Sequence, residues 1–284
     1  MKAKTWKLLS GALPVVAFVA LEVLERGYAL RRRREPGGHR LLRNLGVAGV
    51  SSVVLQLAGR PVLMPLTERV DARNLGLLPA LGLPRWAERV GTVLLLDYLF
   101  YGWHVALHRV PLLWRAHAVH HVDLDLDTST ALRFHFGEFL ASVPVMAAGV
   151  RLIGARPGAF TLWQTLMALE VMFHHSNLRL PLGFERALSR VLITPRLHGI
   201  HHSEVSRETD SNYSSGLTLW DFLHGTHRAN VPQGEITVGL PAYQDPREVT
   251  LPQMLALPFR RPRREHKHRP AGEQPDASRY TLLP

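Results

Sequence analysis

The chain has 284 residues, 46% of them hydrophobic, and a formal net charge of +11. It has no cysteine, which excludes disulfides, thiolate metal ligands and a cysteine nucleophile, so any metal must use histidine, carboxylate or solvent. The mean hydropathy of −0.01 averages long apolar runs against arginine-rich stretches, which fits one membrane-embedded unit better than soluble domains.

Residues 11–30 form the first apolar segment, with Lys2, Lys4 and Lys7 before it and Arg31–Arg34 after it. No small-residue cleavage site follows, so a retained membrane or interfacial helix is expected rather than a signal peptide. A second span is expected from Leu41 to Ala58, ended by Gly59-Arg60-Pro61, and residues 60–87 with their four prolines read as a loop or half-inserted segment. The third span, Arg89 to Leu107, carries Asp97 among leucines, and an intramembrane carboxylate is costly enough to suggest function. Phe139–Ile153 and Ala159–Phe173, separated by Gly154-Ala155-Arg156-Pro157-Gly158, read as a tight transmembrane hairpin. A short amphipathic helix is expected from Phe184 to Arg190, and residues 260–284 lack an apolar period and read as disordered. The basic runs Arg31–Arg34 and Arg260–Arg269 flank apolar segments without any nucleic-acid fold signature. They point to a cytoplasmic face and anionic lipid headgroups, not to nucleic acid.

Histidine placement is the strongest signal. His104 and His108 are four apart, on one helix face, and His117, His120 and His121 follow as HxxHH. The same pattern returns as His198, His201 and His202, with His175 lying between the two copies. With 16 histidines in the chain, one HxxHH is expected by chance about 0.05 times, so two copies require a reason. Neutral imidazoles with few competing ligands suit a borderline transition metal, and their number exceeds the four positions of one tetrahedral ion, so two metals are the natural count.

From Asp97 to Thr226 these motifs resemble the fatty acid hydroxylase and sterol desaturase superfamily of membrane-bound histidine-box di-iron enzymes. DYLFYGWHVALHR is similar to the family's Asp-x-x-x-Tyr-x-x-His-x-x-x-His-Arg helix, and LRFHFGE to its His-Pro-Leu-Glu segment. FHHSN is similar to its His-Ser-Asn segment, and LHGIHHSEVSRETDSNYSSGLTLWDFLHGT to its closing signature. The departures, Phe136-Gly137, Ser214 and His224, leave every box histidine in place.

The resemblance implies an all-α integral membrane helical bundle with a cytoplasmic histidine-rich di-metal cap. Residues 1–87 would be N-terminal membrane helices and a loop, 88–230 the di-iron domain and 231–284 a basic, largely disordered tail. The implied ligands of two irons are His104, His108, His117, His120, His121, His175, His198, His201 and His202, with His174 as an alternative neighbour. Asp97, Glu138 and Asn177 are the implied catalytic support, Asp97 by holding an imidazole N–H. Arg109, His135, Asp210 and Asn212 carry weaker supporting roles. The structural alternatives are a helix cap for Glu138 and a turn for Asp210 and Asn212. His39, His224, His227, His266 and His268 read as surface residues.

The implied activity is O2-dependent hydroxylation or desaturation of a lipid C–H bond in a fatty acyl chain, sterol or related molecule. Electrons would come from a separate donor such as a cytochrome b5-like protein, ferredoxin or reductase, because no such domain or flavin motif is present in the sequence. The arginine bias suggests a bacterial cytoplasmic membrane; in a eukaryote the endoplasmic reticulum would be expected. The alternative is a membrane metal-handling protein without oxygenase activity. Only Asp97 and Glu170 lie well inside the apolar stretches, which argues against metal conduction.

Overall fold

The computed structural model describes residues 3–263, and every regular element among them is helical apart from isolated bridges such as Leu192–Leu217. Helix α1 covers Ala3–Gly27 and α2 covers Gly37–Val54. The expected break at Gly59-Arg60-Pro61 does not occur: α2 passes through a π turn, Leu55–Gly59, directly into α3, Arg60–Arg73. Pro61 has no N–H to contribute, and a π turn is where the helical ladder is already displaced, so the proline is accommodated there. The short α4, Leu77–Ala80, leads to α5, Arg85–Arg109.

Val110 is extended and Pro111, with its fixed φ and missing N–H, opens α6, Pro111–His121. A buried connection then leads to α7, Phe136–Ile153. Gly154 ends α7 at φ 87°, and Pro157 starts α8, Pro157–His175. Among the described residues, three helical segments are long and apolar enough to cross a membrane: residues 37–80, α5 and α7. The second arm of the expected hairpin, α8, is not among these three segments. Helix α8 has the length, but Gln164, Glu170 and two histidines lower its apolarity. Val15, Val16, Val19 and Val23 on α1, and Leu42, Val53 and Leu57 along the second segment, remain exposed as lipid-facing residues would.

Inside the bundle, Leu63 and Val70 of α3, Leu96 of α5, Met146 and Val150 of α7, and Phe160 and Trp163 of α8 form one core. A second core joins Val47 of α2 and Trp114, Ala118 and Val119 of α6 to Leu240, Tyr243, Val249, Met254 and Leu257. This corrects the expectation of a disordered tail beginning at residue 231, because burying such side chains stabilises by about 1.5–3 kcal/mol each. Residues 264–284, which hold most of the second basic run, His266 and His268, lie outside the described residues.

The remaining helices build a cap at the C-terminal end of α5: α9 (Leu182–Leu188), α10 (Pro195–His201), α11 (Ser206–Thr209), α12 (Leu219–His224) and α13 (Leu251–Ala256). The Arg31–Arg34 run is more than a headgroup contact, for it straps the cap to the bundle. Arg31 donates to Gln233 and the Pro195 carbonyl, Arg33 to Glu25, and the Arg34 backbone N–H to Asp125. At the opposite end of α5, Arg156 donates to Glu88, Asp71 and Asn74, so the charged cavity there is closed on itself and ties helix ends together.

Candidate metal centre

Helix geometry divides the histidines before any packing is considered. In each HxxHH the first and last members are four apart and share a face, while the middle one is turned about 100° away from its neighbour. The structure gathers all nine residues into two groups, each with potential ligand atoms within 4.8 Å of one another. One group takes His104 and His108 from α5, His117 and His121 from α6, and His201. The other takes His198 from α10, His202 immediately after it, His175 from the end of α8, and His120. Each HxxHH thus gives its same-face pair to one group and its odd member to the other.

All nine imidazoles are almost fully buried, none more than 5% exposed. Burial pushes His120, His121, His198, His201 and His202 well below the usual histidine range, and repulsion among neighbouring imidazoles adds to it. They are held neutral, the state that can ligate a cation.

The protons on several rings are fixed by their partners, since a carbonyl or carboxylate can only accept. His104 donates through Nδ1 to the Tyr213 carbonyl at 2.7 Å, and His201 through Nδ1 to the Ser211 carbonyl at 2.8 Å. Their Nε2 atoms are therefore both unprotonated, yet they face each other at 3.1 Å. Two lone pairs do not hydrogen-bond, whereas nitrogens sharing one ion at about 2.1 Å stand about this far apart. His117 donates through Nδ1 to Glu138 at 3.0 Å, and its buried Nε2 has no hydrogen-bond partner. In the second group His175 donates through Nδ1 to the Val171 carbonyl at 2.7 Å, leaving an unprotonated Nε2 at 2.9 Å from Nε2 of both His120 and His198. The donor set and its tautomers fit a cation in each group.

Supporting residues fall into place less uniformly. Glu138 orients His117. Asp97 holds no imidazole: its Oδ2 accepts from Trp220 Nε1 at 2.7 Å and the Leu217 N–H at 3.2 Å, pinning the segment after α11 onto α5. That contact needs Gly216, where a Cβ would lie 2.7 Å from the carboxylate. Asn177 exchanges hydrogen bonds with the Arg31 backbone and so closes the strap. Asp210 accepts from the Tyr213 hydroxyl and lies 4.0 Å from His108 Nδ1. Asn212, at φ 50°, locks a turn through the Leu197 and Arg228 carbonyls. His135 caps α7 through the Gly137 N–H. His174 lies outside both groups with its ring 4.1 Å from His198, and exposed His224 stacks on Tyr101 at 5.1 Å.

Sequence reading missed the device that holds α6. Asp123, two residues beyond His121, accepts from Arg40 Nε and Nη2 at 2.9 and 2.7 Å, from Asn44 and from Thr130. Arg40 also pairs with Asp127. Burial raises the Asp123 pKa, but Arg40 and Arg133 outweigh it and hold the carboxyl below its usual range. Arg40 and Asn44, polar residues four apart in an apolar helix, were the available signal. Arginines also occupy the carboxylates grouped at Glu22, Glu25 and Asp127: Arg26 pairs with Glu22, Arg33 with Glu25 and Asp127, and Arg40 with Asp127.

Residues 90–226 match the fatty acid hydroxylase family. The chain is 33% identical over 130 residues to ornithine lipid hydroxylase OlsE of Rhizobium tropici, covering 46% of this chain and 38% of the relative. It is 30% identical over 151 residues to alkylglycerol monooxygenase of Xenopus tropicalis, covering 51% and 30%. It is 34% identical over 160 residues to very-long-chain aldehyde decarbonylase GL1-8 of Oryza sativa subsp. indica, covering 54% and 58%. The chain thus spans well under two thirds of the length of these relatives. No solved structure matches it. All nine histidines of the two groups fall within the matched residues, and this match places the stretch 90–226 in the fatty acid hydroxylase and sterol desaturase superfamily.

Proposed function

We propose that this chain is a membrane-bound di-iron enzyme that uses O2 and external electrons to hydroxylate or desaturate a lipid C–H bond. The observation that carries the reading is the pair of buried histidine groups, five and four strong, whose tautomers aim unprotonated Nε2 atoms inward. The chain's similarity to an ornithine lipid hydroxylase and an alkylglycerol monooxygenase supports the substrate class. Two irons held by these nine histidines would supply O2 activation strong enough to take hydrogen from an unactivated carbon.

The chain's own residues do the rest. Glu138 and the carbonyls of Tyr213, Ser211 and Val171 hold protons on Nδ1 atoms and so keep the ligating face of each ring fixed. Phe100 and Leu107 of α5, Val171 of α8 and Phe134 line a narrow space beside both groups. Their apolar surface excludes water and guides a lipid carbon to the site. Asp97 and Trp220 keep the closing segment seated. Residues 88–230 form the catalytic domain in this reading, with the cap on the cytoplasmic side of the membrane, where a separate electron donor docks.

The test compares lipid extracts of a host expressing the wild type with one expressing His175→Ala. A species heavier by one oxygen, or lighter by two hydrogens, that appears only with the wild type and depends on O2 is expected. Identical extracts from a wild type shown to be iron-loaded would contradict the proposal.

A further inference from the structure

Glu170 is the one acidic residue of α8. It lies one turn before His174, on the same helix face and about 6 Å along the axis, displaced from the histidine groups toward the bundle interior. It is half-buried, and the charged residue acting on it is another acid, Asp97. Asp97 is already engaged by Trp220 and the Leu217 N–H. No described side chain donates a hydrogen bond to Glu170 or pairs with it. A carboxylate is costly in apolar surroundings, and all other half-buried or buried acids of the cap have arginine, histidine, N–H or hydroxyl partners.

Its neighbour Val171 lines the narrow space beside the histidine groups, opposite Phe100 and Leu107. On the flank where Trp220 meets Asp97, Leu219, Phe222 and Leu223 of α12 are exposed and continue the apolar surface outward. A lipid entering between α5 and α8 would pass Glu170 one helical turn before the end of α8 that carries His174 and His175.

Resting on the lipid-oxidising reading above, we propose that Glu170 recognises the substrate by accepting a hydrogen bond from a donor group of the lipid, an ammonium, hydroxyl or amide N–H. The substrate's chains then extend toward the bilayer interior, and its polar end points to the histidine groups. One turn of helix corresponds to about four or five covalent bonds, so the oxidised carbon lies within that distance of the donor and on the polar side of the lipid. Lipids without a donor group in their polar part bind poorly, whatever their chain length.

The test uses the iron-loaded full chain in mixed bilayer discs holding equal parts of three chain-matched lipids. These are a phosphatidylethanolamine with a primary amine, a ceramide with hydroxyl and amide N–H, and a phosphatidylcholine with neither. After re-isolation in detergent, retained lipid and bound metal are measured together by mass spectrometry. A charge-assisted hydrogen bond in apolar surroundings implies retention of one donor lipid about tenfold above the phosphatidylcholine. Glu170→Leu abolishes that preference with metal content unchanged. Glu170→Gln abolishes it if the amine is the donor and keeps part of it if the donor is the hydroxyl or amide. No preference in the wild type, or an undiminished preference in Glu170→Leu, overturns the inference. Metal-loaded protein without lipid preference leaves the proposed function standing, whereas lipid preference without bound metal leaves the recognition site standing and removes the di-iron reading.

Discussion

Glu138→Leu separates the two metal positions. Glu138 accepts from His117 Nδ1 at 3.0 Å, and both residues are buried, so no water replaces the lost acceptor. Without it the proton on the His117 ring is free to move to Nε2, the atom offered to the five-histidine group. Loss of such an orienting carboxylate typically weakens metal binding 10–100-fold, about 1.4–2.7 kcal/mol. The four-histidine group contains neither residue and keeps its affinity. The assay dialyses purified protein against a graded chelator series and counts metal per chain by mass spectrometry. The variant is expected to lose one metal at chelator concentrations about 10–100 times lower than the wild type, while the other metal leaves at the wild-type concentration. Glu138→Gln, which retains an acceptor, falls between. Parallel loss of both metals, or a wild-type curve, would refute the assignment of His117 and Glu138 to one of two separable groups.

Arg40→Met leaves Asp123 and Asp127 buried with only their weaker partners, and should cost about 3 kcal/mol, measured as a lower unfolding midpoint in detergent. In the wild type the Asp123 carboxyl is held below its usual range, so its contribution is present above pH of about 4 and is lost only as pH falls through the lowered native value. The metal-free protein should lose stability in the same direction, but at milder pH. Its buried histidines bind protons more weakly than in the unfolded chain, so stability falls as pH drops below about 6.5, and bound metal suppresses that slope. A flat unfolding midpoint for metal-free protein between pH 7.5 and about 5.5 would contradict the neutral-imidazole description. Trp220→Phe removes a 2.7 Å bond to Asp97, and cleavage by added protease within residues 211–224 should accelerate.

The histidine groups were legible because their determinants are local. Spacing of three and four along helices sets which rings share a face, and burial of nine rings needs no long-range detail to be suspected. Helix phase even contains the exchange of one histidine between groups by each HxxHH, although that follows only once histidines of α6 and α10 are known to share the same two groups. Partners across long sequence separations were not legible. Asp97 finds Trp220 at a separation of 123 residues, and Asp123 finds Arg40 at 83. Local signals also misled where tertiary context overrode them. Pro61 suggested a break that a π turn absorbs, and the polar, proline-rich stretch after residue 230 hid the spaced apolar residues that cover α6. Arginines 31–34 gave a charge sum that suggested lipid headgroups, but not that the side chains of Arg31 and Arg33 would also tie cap and bundle together.

The central claim is that two metals are held by two crossed sets of histidines, and the most direct measurement is metal identity and count on the purified wild type, His104→Ala and His175→Ala. About two irons per wild-type chain, and about one in each variant, are expected because His104 serves only the five-histidine group and His175 only the four-histidine group. One metal in the wild type, stoichiometric zinc in place of iron, or simultaneous loss of both metals from either variant would contradict it.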